Sequence, residues 1–305
     1  PQVVVGLLVD QAGFPLDVQQ YDGNTFEGTT LIPGLTAFKK RLGDETMRLT
    51  VVADAGMLSA SNLTALVAAG FDYIVAARTG KLPETQLDAL GIDALKATPG
   101  TSSELQTKAG RLILQYSESR ARLDRRTRER QLERAKAVVA GTKATRAVKF
   151  VTRTSPDTAV LNTTLLERAE RLEGLKGYLT NRTDLSGEEI VTHYHSLWRV
   201  EQSFRMSKSD LRARPIFHHT RDAIDAHLTI VMAALAVSRF LQERTGLTAK
   251  RLVQLLRPLR TVTLSFEQAS IPPQPVDPVI PPEVSELLHQ VGSPSTSPPP
   301  TNQGH

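Results

Sequence analysis

Apolar and polar residues alternate along the chain in a pattern that predicts an α/β protein. Val3 to Val9 (VVVGLLV) is apolar on both sides, which predicts a centrally placed strand. Asp10 to Gly13 supplies a turn, and Phe14 to Tyr21 returns as the second arm of a hairpin. A loop, DGNTFEG (22–28), leads into a helix over Thr30 to Leu42, with Leu31, Leu35, Phe38 and Leu42 at helical spacing. Leu49 to Ala53 is a short apolar strand ending at Asp54. Ser59 or Ser61 caps a helix running through Ala69, and FDYIVAA (71–77) is the next strand. Hairpin, helix, strand, helix, strand implies a mixed sheet.

Residues 79 to 174 break this rhythm and read as an inserted subdomain. Arg111 to Gln115 and Lys149 to Thr152 are its predicted strands. Between them Ser117 to Val139 is a charged helix poor in apolar residues, with Glu118 and Arg122, Glu129 and Glu133, and Arg130 and Arg134 at i,i+4 spacing. The sheet resumes at Gly177 to Thr180. Ser186 and Glu189 form a capping box, so a helix starts at about Gly187 and is expected to run unbroken to Lys208. RARP (212–215) ends it. A very apolar helix follows over Asp222 to Arg244, then a short one over Ala249 to Leu256. From Ile271 to His305 there are 10 prolines in 35 residues, which predicts a disordered or polyproline-like tail. The expected organisation is therefore 1–78 and 175–268 as the two parts of one core, 79–174 as the insertion, and 269–305 as the tail.

Composition narrows the chemistry. With 305 residues and 40% hydrophobic content the chain can bury a sizeable core. The absence of cysteine removes disulfides, thiol nucleophiles and zinc fingers. The longest apolar runs carry charge nearby, so no membrane span or membrane partner is expected. The net charge of +5 is unevenly spread: residues 101–150 carry 13 Lys/Arg against 5 Asp/Glu, and residues 271–305 carry 3 Asp/Glu with no Lys/Arg. A basic patch on a neutral body suits a polyanionic partner, although a solvated helix face would look the same.

Two carboxylates stand out. Asp54 lies at the C-terminal end of a predicted strand, where α/β folds bind ligands and where a carboxylate can hold a hard divalent ion. The plainer reading is a turn aspartate. Glu201 lies inside YHSLWRVEQSFRMSK (194–208), where Tyr194, Trp198, Glu201, Arg205 and Lys208 follow at intervals of four, three, four and three. On an unbroken helix these share one face, joining a metal-binding carboxylate to phosphate-binding cations. The plainer reading is a Glu201–Arg205 ion pair over packed aromatics. A two-metal phosphodiester reaction normally needs a third carboxylate. Asp10, Asp17, Asp22 and Asp184 are weak candidates, each in or beside a turn. His193, His195, His218, His219 and His227 lack metal-ligand spacing. A carboxylate-pair glycosidase would need an aromatic-lined cleft, and aromatics are only 5% of the chain.

Several phrases carry a family likeness: VVVGLLVDQAGFPL (3–16), YDGNTFEGTTL (21–31), LTVVADAGMLSASNLTALVAAGFDYIVAAR (49–78) and the module from Gly177 to Val237. The sequence resembles the transposases of the IS4 superfamily, closest to the IS1634-like group. The resemblance implies an RNase H-like mixed sheet flanked by helices, interrupted between the fifth strand and the glutamate helix. It implies a DDE triad binding Mg²⁺, or Mn²⁺, with Asp54 as the second acidic residue and Glu201 as the third. Tyr194, Arg205 and Lys208 match the signature's tyrosine, a basic position and its lysine. The signature arginine falls where this sequence has Leu197; Arg199 is two residues away. The first aspartate belongs on a strand preceding Val3, so the chain is expected to be a fragment lacking it and without competent chemistry. The implied partners are double-stranded DNA, both element terminal inverted repeats and target, and a second copy of the protein on that DNA. The implied location is the bacterial cytoplasm, with the nucleoid. The alternative is an inactive DNA-binding remnant.

Overall fold

The computed structural model describes residues 3–25, 27–43, 47–54, 59–142, 148–155, 158–264 and 274–292. The elements are, in chain order, β1 (Val3–Val9), β2 (Pro15–Asp22), α1 (Glu27–Leu42), β3 (Leu49–Ala53), α2 (Ala60–Ala68), β4 (Phe71–Ala77), α3 (Glu84–Ala89), α4 (Ile92–Ala97), β5 (Ser102–Thr107), β6 (Gly110–Tyr116) and α5 (Glu118–Val139). Then come β7 (Val151–Ser155), β8 (Thr158–Leu161), α6 (Thr163–Arg171), β9 (Leu175–Thr180), α7 (Gly187–His195) and α8 (Leu197–Arg205). The chain closes with α9 (Arg221–Thr245), α10 (Ala249–Leu256), β10 (Val262–Leu264), β11 (Gln274–Val276) and α11 (Pro282–Gly292). Two compact units result: residues 1–4 with 21–197, and residues 5–20 with 198–305.

The first unit is built on a five-stranded mixed sheet of order β3-β4-β9-β6-β5. β3 and β4 are parallel, and every other neighbouring pair is antiparallel. β4 is apolar along nearly its whole length because both of its faces are covered, and Phe71, Tyr73, Ile74 and Val75 are all buried. β6 shows the alternation directly. Leu112 and Leu114 join Leu87, Leu90, Ile92 and Leu95 from α3 and α4 on one face. Ile113 points to the other face, where Ile74, Tyr178 and the α7 residues Ile190, Val191 and Tyr194 pack. The α/β fold with a mixed sheet between helices is thus the expected RNase H-like one.

Three expectations are corrected. Val3–Val9 pairs with β2 in a two-stranded sheet, and its residues are half-buried throughout, so it is not the buried central strand its apolarity suggests. Residues 79–174 do not stand apart from the sheet, because β5 and β6 are two of its strands. Within the proline-rich tail, Pro282–Gly292 is helical: proline is preorganised for a first helical position, and Val284, Leu287, Leu288 and Val291 recur at helical spacing. Residues 269–273 and 293–305 of the tail lie outside the described residues.

In the second unit α9 is the long element. By length and composition it could cross a membrane, with a mean hydropathy of 1.6 over 18 residues. Along it Leu228, Leu235, Ser238 and Arg239 are buried, whereas Ile230, Val237 and Phe240 are exposed.

Candidate active site

The sheet register decides what surrounds Asp54. Ala53, the last residue of β3, pairs with Val75, so Asp54 stands level with Ala76, which pairs with Tyr178 on β9. Asp54 is exposed at this end of the sheet. Its Oδ1 accepts a hydrogen bond of 3.2 Å from the Tyr194 hydroxyl on α7. The capping box starts α7 at Gly187: Ser186 Oγ accepts from the Glu189 amide, and the Glu189 carboxylate accepts from the Ser186 amide. Residues 55–58 lie outside the described residues.

Tyr194 is only 6% exposed. Its ring meets that of Tyr178 edge to face, with centroids 5.0 Å apart. Lys176 Nζ lies 4.3 Å from the Tyr194 centroid and 5.7 Å from that of Tyr178. The Tyr178 hydroxyl pairs with His195 Nε2 at 3.2 Å. Burial pushes the Tyr178 phenol up to about 12, against a smaller opposing pull from Arg120. The same covering, together with the nearby Lys176 ammonium, lowers the His195 imidazole below its usual value.

Glu201 belongs to the second unit and is exposed on α8. The residues on either side of it are tied down. Arg239 of α9, 8% exposed, donates from Nη1 to Gln202 Oε1 at 2.8 Å and from Nη2 to the Arg199 carbonyl at 2.9 Å. Its Nε and Nη2 also donate to Ser203 Oγ, at 3.0 and 2.7 Å. Ser203, fully buried, donates in turn to the Gly13 carbonyl at 2.8 Å. Gly13 has φ +83°, and a Cβ there would lie 3.1 Å from both Arg199 Cβ and Arg239 Nη2, so the hairpin turn needs glycine. Arg199 completes the contact by donating to the Gln11 carbonyl at 2.8 Å.

The expected single helix from 187 to 208 is therefore corrected. It stops at His195, restarts at Leu197 and widens into a π-helical turn over Met206–Asp210. Ser196 Oγ bonds the His193 carbonyl at the break. Tyr194 sits with Asp54 in the first unit, whereas Trp198, Glu201, Arg205 and Lys208 belong to the second. No ion pair joins Glu201 to Arg205 among the described residues. Arg205 is exposed at the end of α8, and Lys208 Nζ lies 5.3 Å over the Phe204 ring. Arg199 holds the hairpin and is not a spare cation in place of Leu197.

The other carboxylates have local duties. Asp10 accepts from the Phe14 amide, Asp17 from the Gln19 side chain, and Asp184 pairs with Arg182, which pulls its carboxyl down to about 2. Among the described residues no three His, Asp or Glu side chains converge. Asp54 in the first unit and Glu201 in the second are each an exposed carboxylate, the donor type that hard divalent ions take.

The charged helix α5 divides into two sides. Arg128 pairs with Glu173 and Glu170, Arg125 with Glu173, and Arg120 with Asp124. Arg122, Arg126, Arg130 and Arg134 form an exposed i,i+4 row on the other side. Lys176, Tyr178, His195, Ser203 and Arg239 were not among the expected site residues. The one readable signal was Arg239, a lone arginine inside the apolar run IVMAALAVSRF.

No curated protein matches the chain. The Transposase DDE domain family matches residues 2–237, more than three quarters of the sequence, across β3 with Asp54, β9 with Lys176, and α7 and α8 with Tyr194 and Glu201. The chain belongs to the transposase DDE domain family, and DNA is its substrate.

Proposed function

We propose that this protein serves Mg²⁺-dependent DNA cleavage and strand transfer at the ends of an insertion sequence of the IS4 superfamily, IS1634-like group. Asp54 and Glu201 act as two metal-binding carboxylates. The observation that carries this reading is the Tyr194–Asp54 hydrogen bond: a tyrosine buried on both sides spends its hydroxyl on an exposed carboxylate at the ligand-binding end of the sheet. Transposases of this family generally depend on divalent metal. Bound here, the metal would neutralise phosphate charge and promote deprotonation of the attacking hydroxyl.

The chain's own residues position and attract. Tyr194 fixes the carboxylate of Asp54 by donating to it. Arg239 and Ser203 fix the backbone on either side of Glu201. Arg205 and Lys208, exposed beyond Glu201, supply phosphate-binding cations, and the outward arginines of α5 hold DNA backbone at a distance from the chemistry. Two copies of the protein on paired element ends complete the reading.

The test is Mg²⁺-dependent nicking of element-end DNA by the protein. Asp54→Asn and Glu201→Gln are each expected to lower the rate at least a hundredfold with unchanged DNA affinity. Nicking that survives both changes refutes the assignment. DNA binding with a steep salt dependence and no nicking under any condition supports the DNA-binding remnant instead.

A further inference from the structure

We propose that Lys176 is a positioning residue for the metal site, acting through Tyr194 on Asp54. This rests on the reading of Asp54 as a metal ligand. The register supplies the first argument. Tyr178 stands level with Asp54 across β4, and Lys176 is two residues away on the same face of β9. It therefore projects toward α7 at the metal-binding end of the sheet, not into the α3–α4 face where Leu175 packs.

Chemistry supplies the second. β9 (LKGYLT) is a sheet-interior strand, and Lys176 is its one charged residue. An ammonium group is strongly hydrated, and seating it among aromatic rings needs compensation. The faces of two tyrosines contribute to it, that of Tyr194 more closely. The Tyr194 ring is thus held by the Tyr178 edge and the Lys176 cation. A phenol ring has two torsions, and fixing its plane fixes the direction of its hydroxyl. That hydroxyl meets Asp54 Oδ1. The ammonium carries the charge that repels a metal ion, so direct coulombic action and positioning have opposite signs, and the two roles are separable.

The experiment measures Mn²⁺ affinity of the full chain by electron paramagnetic resonance titration in the presence of DNA, with melting temperature followed in parallel. Asp54→Asn is the control for the underlying reading, and its loss of affinity defines the Asp54 contribution. Lys176→Met is expected to weaken Mn²⁺ binding about three- to tenfold, Tyr194→Phe by a similar factor, and the double variant by no more than the larger single effect. Lys176→Arg, which keeps a cation over the ring, is expected to retain affinity within about twofold. Tighter Mn²⁺ binding by Lys176→Met, or losses that multiply in the double variant, overturn the positioning role. If Asp54→Asn leaves Mn²⁺ affinity unchanged, the metal-ligand reading fails, and this proposal fails with it. If Asp54→Asn weakens binding while Lys176→Met does not, only the positioning role fails.

Discussion

Replacing Arg239 with methionine should loosen α8 and therefore the segment that carries Glu201. The guanidinium reaches three acceptors: Ser203 Oγ, Gln202 Oε1 and the Arg199 carbonyl. Hydrogen bonds to a charged group are worth about 1.5–3 kcal/mol each in net terms, but burying the charge offsets part of that. Methionine fills similar volume without replacing any bond. It leaves the Arg199 carbonyl and the Gln202 amide short of a partner, while Ser203 keeps its bond to Gly13. The balance is a loss of about 3–5 kcal/mol, the scale for breaking a buried charged network. Trp198 is the single tryptophan and lies on α8 itself, so its fluorescence reports this unit. With a urea slope of about 1–3 kcal/mol per molar, the fluorescence midpoint should fall by roughly 1–5 M. Arg239→Lys should recover less than half of that, because one ammonium cannot span three acceptors as a planar fork does. A shift in Arg239→Met corresponding to less than about 1 kcal/mol would mean that the guanidinium does not hold α8 in place.

Two further changes probe the first unit. Gly174 has φ +80°, and a Cβ there would collide with Tyr116 Cε2 and lie 2.8 Å from Ala121 Cβ; Gly174→Ala should cost about 2–4 kcal/mol from backbone strain and overpacking, read as a lower midpoint in thermal melting by far-ultraviolet circular dichroism. His195 has its imidazole lowered first by burial and then by Lys176, so the unfolded chain takes up its proton first as pH falls. Its stabilising contribution is complete above about 6.5 and is lost as pH falls toward the depressed folded value. Melting temperatures between pH 7.5 and 5 should therefore fall more steeply for the wild type than for His195→Gln, and equal slopes would contradict the assignment.

How much of this was legible in the sequence depends on the range of the forces involved. Local signals were read well. The Ser186–Glu189 box gave the start of α7, and the apolar stretches gave β4, α9 and α10, because capping and periodicity are decided within a few residues. Strands with weak alternation were missed. β5 (SSELQT) has only Leu105 as a large apolar residue and is held by its ladder to β6, which sequence periodicity cannot report. Val3–Val9 was misplaced for the converse reason: apolarity on both sides gives no partner, only the need for one. Asp54 and Glu201 stand out by their places on a strand end and a helix, whereas the side chains that hold their surroundings are remote in sequence. Tyr194 reaches Asp54 across 140 residues, and Arg239 reaches Ser203 across 36.

The break between α7 and α8 shows most clearly why spacing alone misled. Intervals of four, three, four and three place five side chains on one face only while the helix keeps its 3.6-residue turn. The stretch carries no proline or glycine to announce an ending. Yet Ser196, whose hydroxyl bonds the His193 carbonyl, interrupts it, and the π-helical turn at Met206–Asp210 departs from the 3.6-residue repeat at Lys208. The interruption gives Tyr194 and Glu201 separate anchors. Tyr194 is set by the sheet through Tyr178 and Lys176, and Glu201 by α9 and the hairpin turn through Arg239, Ser203 and Gly13. A carboxylate that must hold a metal at fixed distance gains more from a rigid neighbour than from its own helix, since an exposed glutamate on an unsupported turn samples several rotamers. Under the metal role proposed for Asp54 and Glu201, Tyr194, Lys176, Ser203 and Arg239 are the positions at which substitution should separate metal binding from DNA binding.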